Sequence, residues 1–219
     1  MLDRCMCSVI AQTHPCTHIM VADGLPNTLV DDVADQHIEL RVGHNDYGDT
    51  PRLIGTLSAY QQGFDAICWL DADNWLEPTH VEDLLAIANQ DVVSVVTATR
   101  NLRRADGSLL SICRESDGVN FSDTNCYLIM RDAIPIIAPV WGFKPQSMSV
   151  VGDRLVWKKV VDNYKNRGHC SKPTVNYTTN IAVHYLEAGE TPPKNARVIV
   201  QKPGHPYPIS VPYVENKND

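Results

Sequence analysis

The chain has 219 residues, 43% of them hydrophobic, which suits one domain with its own core and at most a small appendage. Its 19 Lys and Arg against 26 Asp and Glu leave a net charge of −7 with His neutral. That sign argues against binding through a phosphate backbone, so nucleic acid is excluded as a main partner.

No run of 18 apolar residues occurs, which excludes a transmembrane helix, and the stretch 1–11 lacks the apolar core of a signal peptide. The seven cysteines, Cys5, Cys7, Cys16, Cys68, Cys113, Cys126 and Cys170, are odd in number and form no Cys-x-x-Cys pair. Neither a disulfide framework nor a zinc knuckle is expected from them. A cytoplasmic enzyme, soluble or peripheral to a membrane, is the simplest expectation.

In chain order, Met6, Val9 and Ile10 give residues 3–12 a helical face, and HIMVA (18–22) reads as a strand stopped by Asp23-Gly24. Residues 36–42 read as a second strand. Thr50-Pro51 starts a helix, because Thr caps free amides and Pro loses nothing in a first turn. That helix carries Leu53, Leu57 and Tyr60 on one face and ends at Gly63. DAICWL (65–70) is a buried-strand run, residues 78–88 form a helix, and the β-branched DVVSVVTAT (91–99) is a central strand.

After residue 100 the rhythm changes. Residues 100–120 are polar and turn-rich, 124–130 read as a strand, 150–166 contain a helix, and 181–185 read as a last strand. Six of the 14 prolines follow residue 190, so 190–219 is expected as an extended tail. The alternation predicts an α/β three-layer sandwich with a mostly parallel central sheet.

The sharpest chemical feature is Asp71-Ala72-Asp73-Asn74-Trp75, directly after a buried strand. Ligands of open α/β sheets bind outside the carboxyl ends of strands. Two carboxylates at i and i+2 there can both face one hard cation, and a cation so held can neutralise a departing diphosphate. Alone, an Asp-x-Asp triplet is a surface turn; its position gives it meaning.

The stretch YGDTPRLIGTLSAYQQGFDAICWLDADNWLEPTHVEDLL, with SVIAQTHPCTHIMVADG before it, resembles the family 2 glycosyltransferases, nucleotide-sugar enzymes of the GT-A fold. The resemblance covers about residues 5 to 90. It implies a domain over 1–189, with 1–99 as the nucleotide-sugar half and 100–189 as the acceptor half. It implies transfer from a nucleoside-diphosphate sugar to the hydroxyl of a saccharide or other acceptor, with Mn²⁺ or Mg²⁺ and inversion at the anomeric carbon. It further implies that Asp23 bonds the nucleobase, Arg52 contacts the nucleotide, Asp71 lies near the ribose or a metal-bound water, and Asp73 ligates the metal.

More loosely, Asp153 in VVGDRLVWKKV matches the family's general base, although Gly152 stands where the family usually has Glu. His184 in NIAVHYLEAG resembles the His that completes the metal site. For Asp153, helix capping is the competing reading; for His184 it is packing. His14, His18, His37, His44, His80, His169 and His205 share no spacing and read as structural.

Trp141-Gly142-Phe143 can wall an acceptor site or pack in the core. Arg100, Arg103 and Arg104 read by default as a solvated basic loop, or as a contact for donor phosphates. The family's first strand is expected to be missing, leaving an edge that favours self-association. Two other readings stay in play. One is an inactive homologue that binds a glycan or a protein. The other is a nucleotidyltransferase, which normally has a Gly-rich phosphate loop that does not occur here.

Overall fold

The structure, a computed structural model, describes residues 1–205 and 208–214. Its first half runs α1 (Leu2–Ile10), β1 (Ile19–Asp23), β2 (Gln36–Leu40), α2 (Asp49–Gln62), β3 (Ala66–Cys68), β4 (Trp75–Leu76) and α3 (His80–Asp91). There follow β5 (Val95–Arg103), β6 (Leu109–Ile112), β7 (Tyr127–Met130), α4 (Ile134–Ile137), α5 (Pro139–Gly142) and α6 (Gly152–Asn163). The chain then forms β8 (Gly168–Thr178), α7 (Ala182–Glu187), β9 (Arg197–Val200) and β10 (Ile209–Pro212). As the sequence predicts, α2 closes at Gly63, which takes φ +90° and donates back to the carbonyl oxygens of Ala59 and Tyr60.

The central sheet has the order β3-β7-β5-β8-β4, with β6 paired to β5. Among the described strands, parallel pairing is confined to β5–β8 and β1–β2, with one isolated parallel bridge between Ile181 and Arg197. The pairs β3–β7, β5–β7, β5–β6 and β4–β8 are antiparallel, so the sheet is mixed where a mostly parallel one was expected. The hairpin from β5 to β6 shows the cause: a connection of a few residues can only reverse the chain, whereas parallel neighbours need a long crossover.

The three layers expected are present. Trp69, Val95, Tyr127, Ile137, Trp141 and Val156 pack on one side of the sheet, and Leu84, Val96, Leu128 and Val175 pack on the other. Neighbours Val95 and Val96 point to opposite cores, as the two-residue period of a doubly covered strand requires.

β1 and β2 pair only with each other and stand apart from the central sheet. Between β1 and β3 lies a cavity of about 1110 Å³, lined along its length by Ile19, Met20 and Val21 on one side and Ala66, Ile67 and Cys68 on the other. Among the described residues no strand bridges the two edges.

Two local expectations are corrected. Residues 181–185 are not a strand; Ala182–Glu187 is a helix, whose entry is fixed by the Ile181 N–H donating to Thr179 Oγ1 at 3.1 Å. The long strand β8 precedes it instead. Nor is Arg100 part of a solvated loop, because β5 continues through Arg103 and Arg100 is only 3% exposed.

Trp141 is a core residue and Phe143 is 84% exposed. Within the described part of the Pro-rich segment, β9 and β10 pair antiparallel; residues 206–207 and 215–219 of the expected tail lie outside the described residues. All seven cysteines are free, and burial pushes the Cys5 and Cys68 thiols up to about 12. Among the described residues no helix is long and apolar enough to cross a membrane.

Candidate active site

The Asp71–Asn74 turn follows β3 and is fixed from behind by β8. Asn74, 1% exposed, accepts the Thr178 N–H at 2.8 Å, and the Thr178 hydroxyl donates to the Asp73 carbonyl at 2.6 Å. Below the turn, Trp69 Nε1 donates to Thr56 Oγ1 at 2.8 Å and ties β3 to α2. The two carboxylates therefore stand at the carboxyl end of a strand, where an α/β sheet presents its ligand site.

Arg52, in the first turn of α2, forms an ion pair with Asp71 Oδ1 and donates to the Tyr47 carbonyl at 2.8 Å. Its guanidinium lies over the Trp141 ring, 5.1 Å from the centroid. Tyr47, Gly48, Arg52, Asp71 and Asp73 together line one end of the cavity between β1 and β3. Asp73 takes no side-chain partner, and burial, followed by the charge of Asp71, raises its carboxyl above the ordinary value.

Asp153 sits in the first turn of α6 and accepts the Arg154 N–H at 2.7 Å. Burial, then the charge of Asp123, raises it to about 6. The Gly before it has a structural reason. A Cβ at Gly152 would lie 3.0 Å from Asp49 Oδ1 and 3.2 Å from the Trp141 ring, so a larger side chain there would press on both and make them give way. Asp49 is itself paired with Lys144 at 2.5 Å, and both side chains are buried.

His184 lies on α7, with Nδ1 bonded to Thr179 Oγ1 at 2.6 Å, so Nε2 is the nitrogen free for a ligand. Burial, then the Arg100 charge, lowers it to about 4, which keeps the ring neutral at physiological pH. Asp23 ends β1 and is bonded by His44 through both its N–H (3.0 Å) and its Nδ1 (2.6 Å). Burial acts to raise the Asp23 carboxyl, but the His44 hydrogen bonds outweigh it and hold the group below its ordinary value.

The structure thus brings Arg52, Asp71 and Asp73 into one cavity and leaves Asp23, Asp153 and His184 outside that lining; His184 lines a separate pocket with Leu102, Cys113 and Glu115. No three of Asp71, Asp73, Asp153 and His184 meet within 4.8 Å. Among the described residues the only such ligating trio is Asp31, His37 and Glu39, on and beside β2. The oxygen donors nevertheless suit a hard cation. Of the two turn carboxylates, Asp71 has one oxygen on Arg52 and the other on Asn125, so Asp73 is the one with ligating capacity to spare.

Asn125 and Asp123 are the neighbours that the sequence reading missed, and Arg100, read there as a solvated loop residue or a phosphate contact, is the buried partner of Asp123. The signal for the first two was an Asp-x-Asn pair immediately before the apolar run Tyr127–Met130, the mirror of Asp71 after β3.

The fold is that of the GT-A glycosyltransferase structures. A model of glycosyl transferase family 2 matches residues 1–137, and the chain belongs to that family. Among curated proteins none matches the chain.

Of solved structures, TarS of S. aureus is similar at 13% identity with a TM-score of 0.60, over 85% of this chain and 36% of that one. Its 1–349 form matches at 12% identity and TM-score 0.62, over 85% and 58%. The same form in complex with UDP matches at 13% and 0.59, over 85% and 59%. This chain therefore spans between about a third and three fifths of the structures it matches.

Proposed function

We propose that the chain moves a sugar from a nucleoside-diphosphate sugar to an acceptor hydroxyl, with inversion at the anomeric carbon. The observation that carries this is the single cavity lined by Arg52, Asp71 and Asp73 at the carboxyl end of β3, in a family 2 domain. In this reading the acceptor oxygen forms a bond to the anomeric carbon as the bond to the diphosphate oxygen breaks. The acceptor proton passes to Asp153, whose raised affinity suits a base working near neutral pH.

Arg52 offers a cation to the nucleotide and Asp23 an acceptor to its base. Asp73, with His184 Nε2 as second donor, would hold Mn²⁺ or Mg²⁺. A divalent cation there supplies charge neutralisation for the departing diphosphate.

Thermal unfolding against a panel of nucleoside diphosphates, with and without Mn²⁺, tests the reading, since a ligand of the folded state raises the midpoint by mass action. UDP is the first to try, because one of the matched structures holds it. A metal-dependent shift with one nucleotide is the expected result. Asp73→Ala is expected to remove both that shift and metal-dependent transfer; full activity in this variant sinks the assignment.

A further inference from the structure

Behind the Asp71 turn runs a buried polar chain to which the proposed chemistry gives no part. Asn125 is 1% exposed, and its side-chain oxygen accepts the Asp71 N–H at 2.7 Å. Its amide nitrogen donates to Asp71 Oδ2 at 3.1 Å and to Asp123 Oδ1 at 2.9 Å. Asp123 Oδ1 also accepts the Asn125 N–H at 3.0 Å, and Oδ2 pairs with Arg100 at 2.5 Å. Arg100 in turn lies 4.2 Å over the Tyr177 ring, whose neighbour, edge-on at 6.4 Å, is His184.

Two features separate this arrangement from ordinary core satisfaction. First, it consumes both halves of one amide: the oxygen serves a backbone donor, and the nitrogen serves two carboxylates. Only a side chain with an acceptor and two donors at that reach meets all three demands. Second, with Oδ2 on Asn125 and Oδ1 on Arg52, both oxygens of Asp71 are held by protein partners. A side chain locked in this way needs no reordering when a ligand arrives, the usual benefit of a supporting shell.

We propose that Asn125 is a positioning residue: it fixes Asp71 in the donor site and ties it, through Asp123 and Arg100, to the elements that carry Tyr177 and His184. The inference rests on the donor-site reading given above and adds a residue to it.

The test compares the full chain with Asn125→Ala, Asn125→Ser and Asn125→Asp. Two quantities are measured well below each midpoint: UDP affinity in the presence of Mn²⁺, and amide exchange of the Asp71–Asn74 turn. Asn125→Ala is expected to weaken UDP binding at least about tenfold and to speed exchange at Asp71, because a buried donor loses its partner. Asn125→Ser, which keeps an acceptor and a donor, is expected to recover part of both. Asn125→Asp is expected to be the weakest, since it sets a third carboxylate between Asp71 and Asp123.

An Asn125→Ala protein that is less stable yet binds UDP like the wild type would reduce Asn125 to a structural residue and overturn the proposal. If the wild type binds no nucleoside diphosphate, the donor reading falls. Exchange at Asp71 then still decides whether Asn125 holds the turn: unchanged exchange in Asn125→Ala overturns that as well.

Discussion

The two sheets beside the cavity are built to different standards. In the outer one, every residue of β1 and all but one of β2 are only half-buried, because each strand has a single paired neighbour. In the central one, β3 is half-buried where it meets the cavity, but Val95, Val96, Thr97 and Ala98 of β5 are at most 1% exposed between two cores. The sheet whose Asp23 the family resemblance assigns to the nucleobase is thus the looser one. The tighter side holds the polar chain from Asn125 to Arg100 and the helix bearing Asp153. Binding and rigidity are divided between the halves, and Asp71 is where they meet.

Three experiments probe this division, beginning with the largest effect. Arg100→Met leaves the Asp123 carboxylate buried without its cation, and breaking a buried pair in this way costs about 3–5 kcal/mol. Urea unfolding should show the loss; a cost below about 1 kcal/mol would mean that the tight side is held by packing alone.

Asp153→Asn comes next, and its sign is opposite. Asp153 holds its proton up to about pH 6 in the folded chain, against 3.8 ordinarily. Between those values the folded state binds more protons than the unfolded, so its stability falls as pH rises. Above that window the ionised carboxylate costs up to ~3 kcal/mol at ~1.4 kcal/mol per unit, less what solvent screens from a half-buried group. Asp153→Asn should therefore raise the midpoint at pH 7.5 and give no gain below about pH 4, while turnover drops by roughly 10²–10⁴-fold.

The smallest effect is a contrast. Ile129→Ala, in the fully covered β7, should cost about 2–5 kcal/mol, and Ile38→Ala, in half-covered β2, about 2 kcal/mol less. Equal losses in calorimetry would erase the distinction between the two sides.

The same division explains what could be read from the chain. β1, α2, β3 and the Asp71–Asp73 turn were legible because apolar runs end in Asp, and because Thr50-Pro51 and Gly63 punctuate the helix between them. β8 was not, since Ser171, Lys172 and Pro173 interrupt it and Asn176 reads as polar loop. In the fold Asn176 is buried, and its oxygen accepts from Asn101 and Arg103 while its nitrogen donates to Glu77. Polar groups satisfied only across strands leave no local pattern.

Residues 181–185 misled for the converse reason. Apolar residues in a row suit a strand, but the turn in which Ile181 N–H donates to Thr179 Oγ1, and the burial of Ala182, His184 and Tyr185, select a helix. Of the site, Arg52, Asp71 and Asp73 were visible as a motif. Asn125, and the pairing of Arg100 with Asp123, become visible only when β7, β5 and β3 are aligned.

The cavity between β1 and β3 has a thermodynamic consequence. Ile19, Val21 and Ile67 line it and are only half-buried, unlike the residues of β5. Newly exposed apolar surface is what gives unfolding its large heat-capacity increment, roughly 12–15 cal/mol/K per residue for an ordinary domain. Side chains already half-exposed in the folded chain add less to that increment than the fully buried ones of β5, so the walls of the cavity weigh little in the curvature of its stability with temperature.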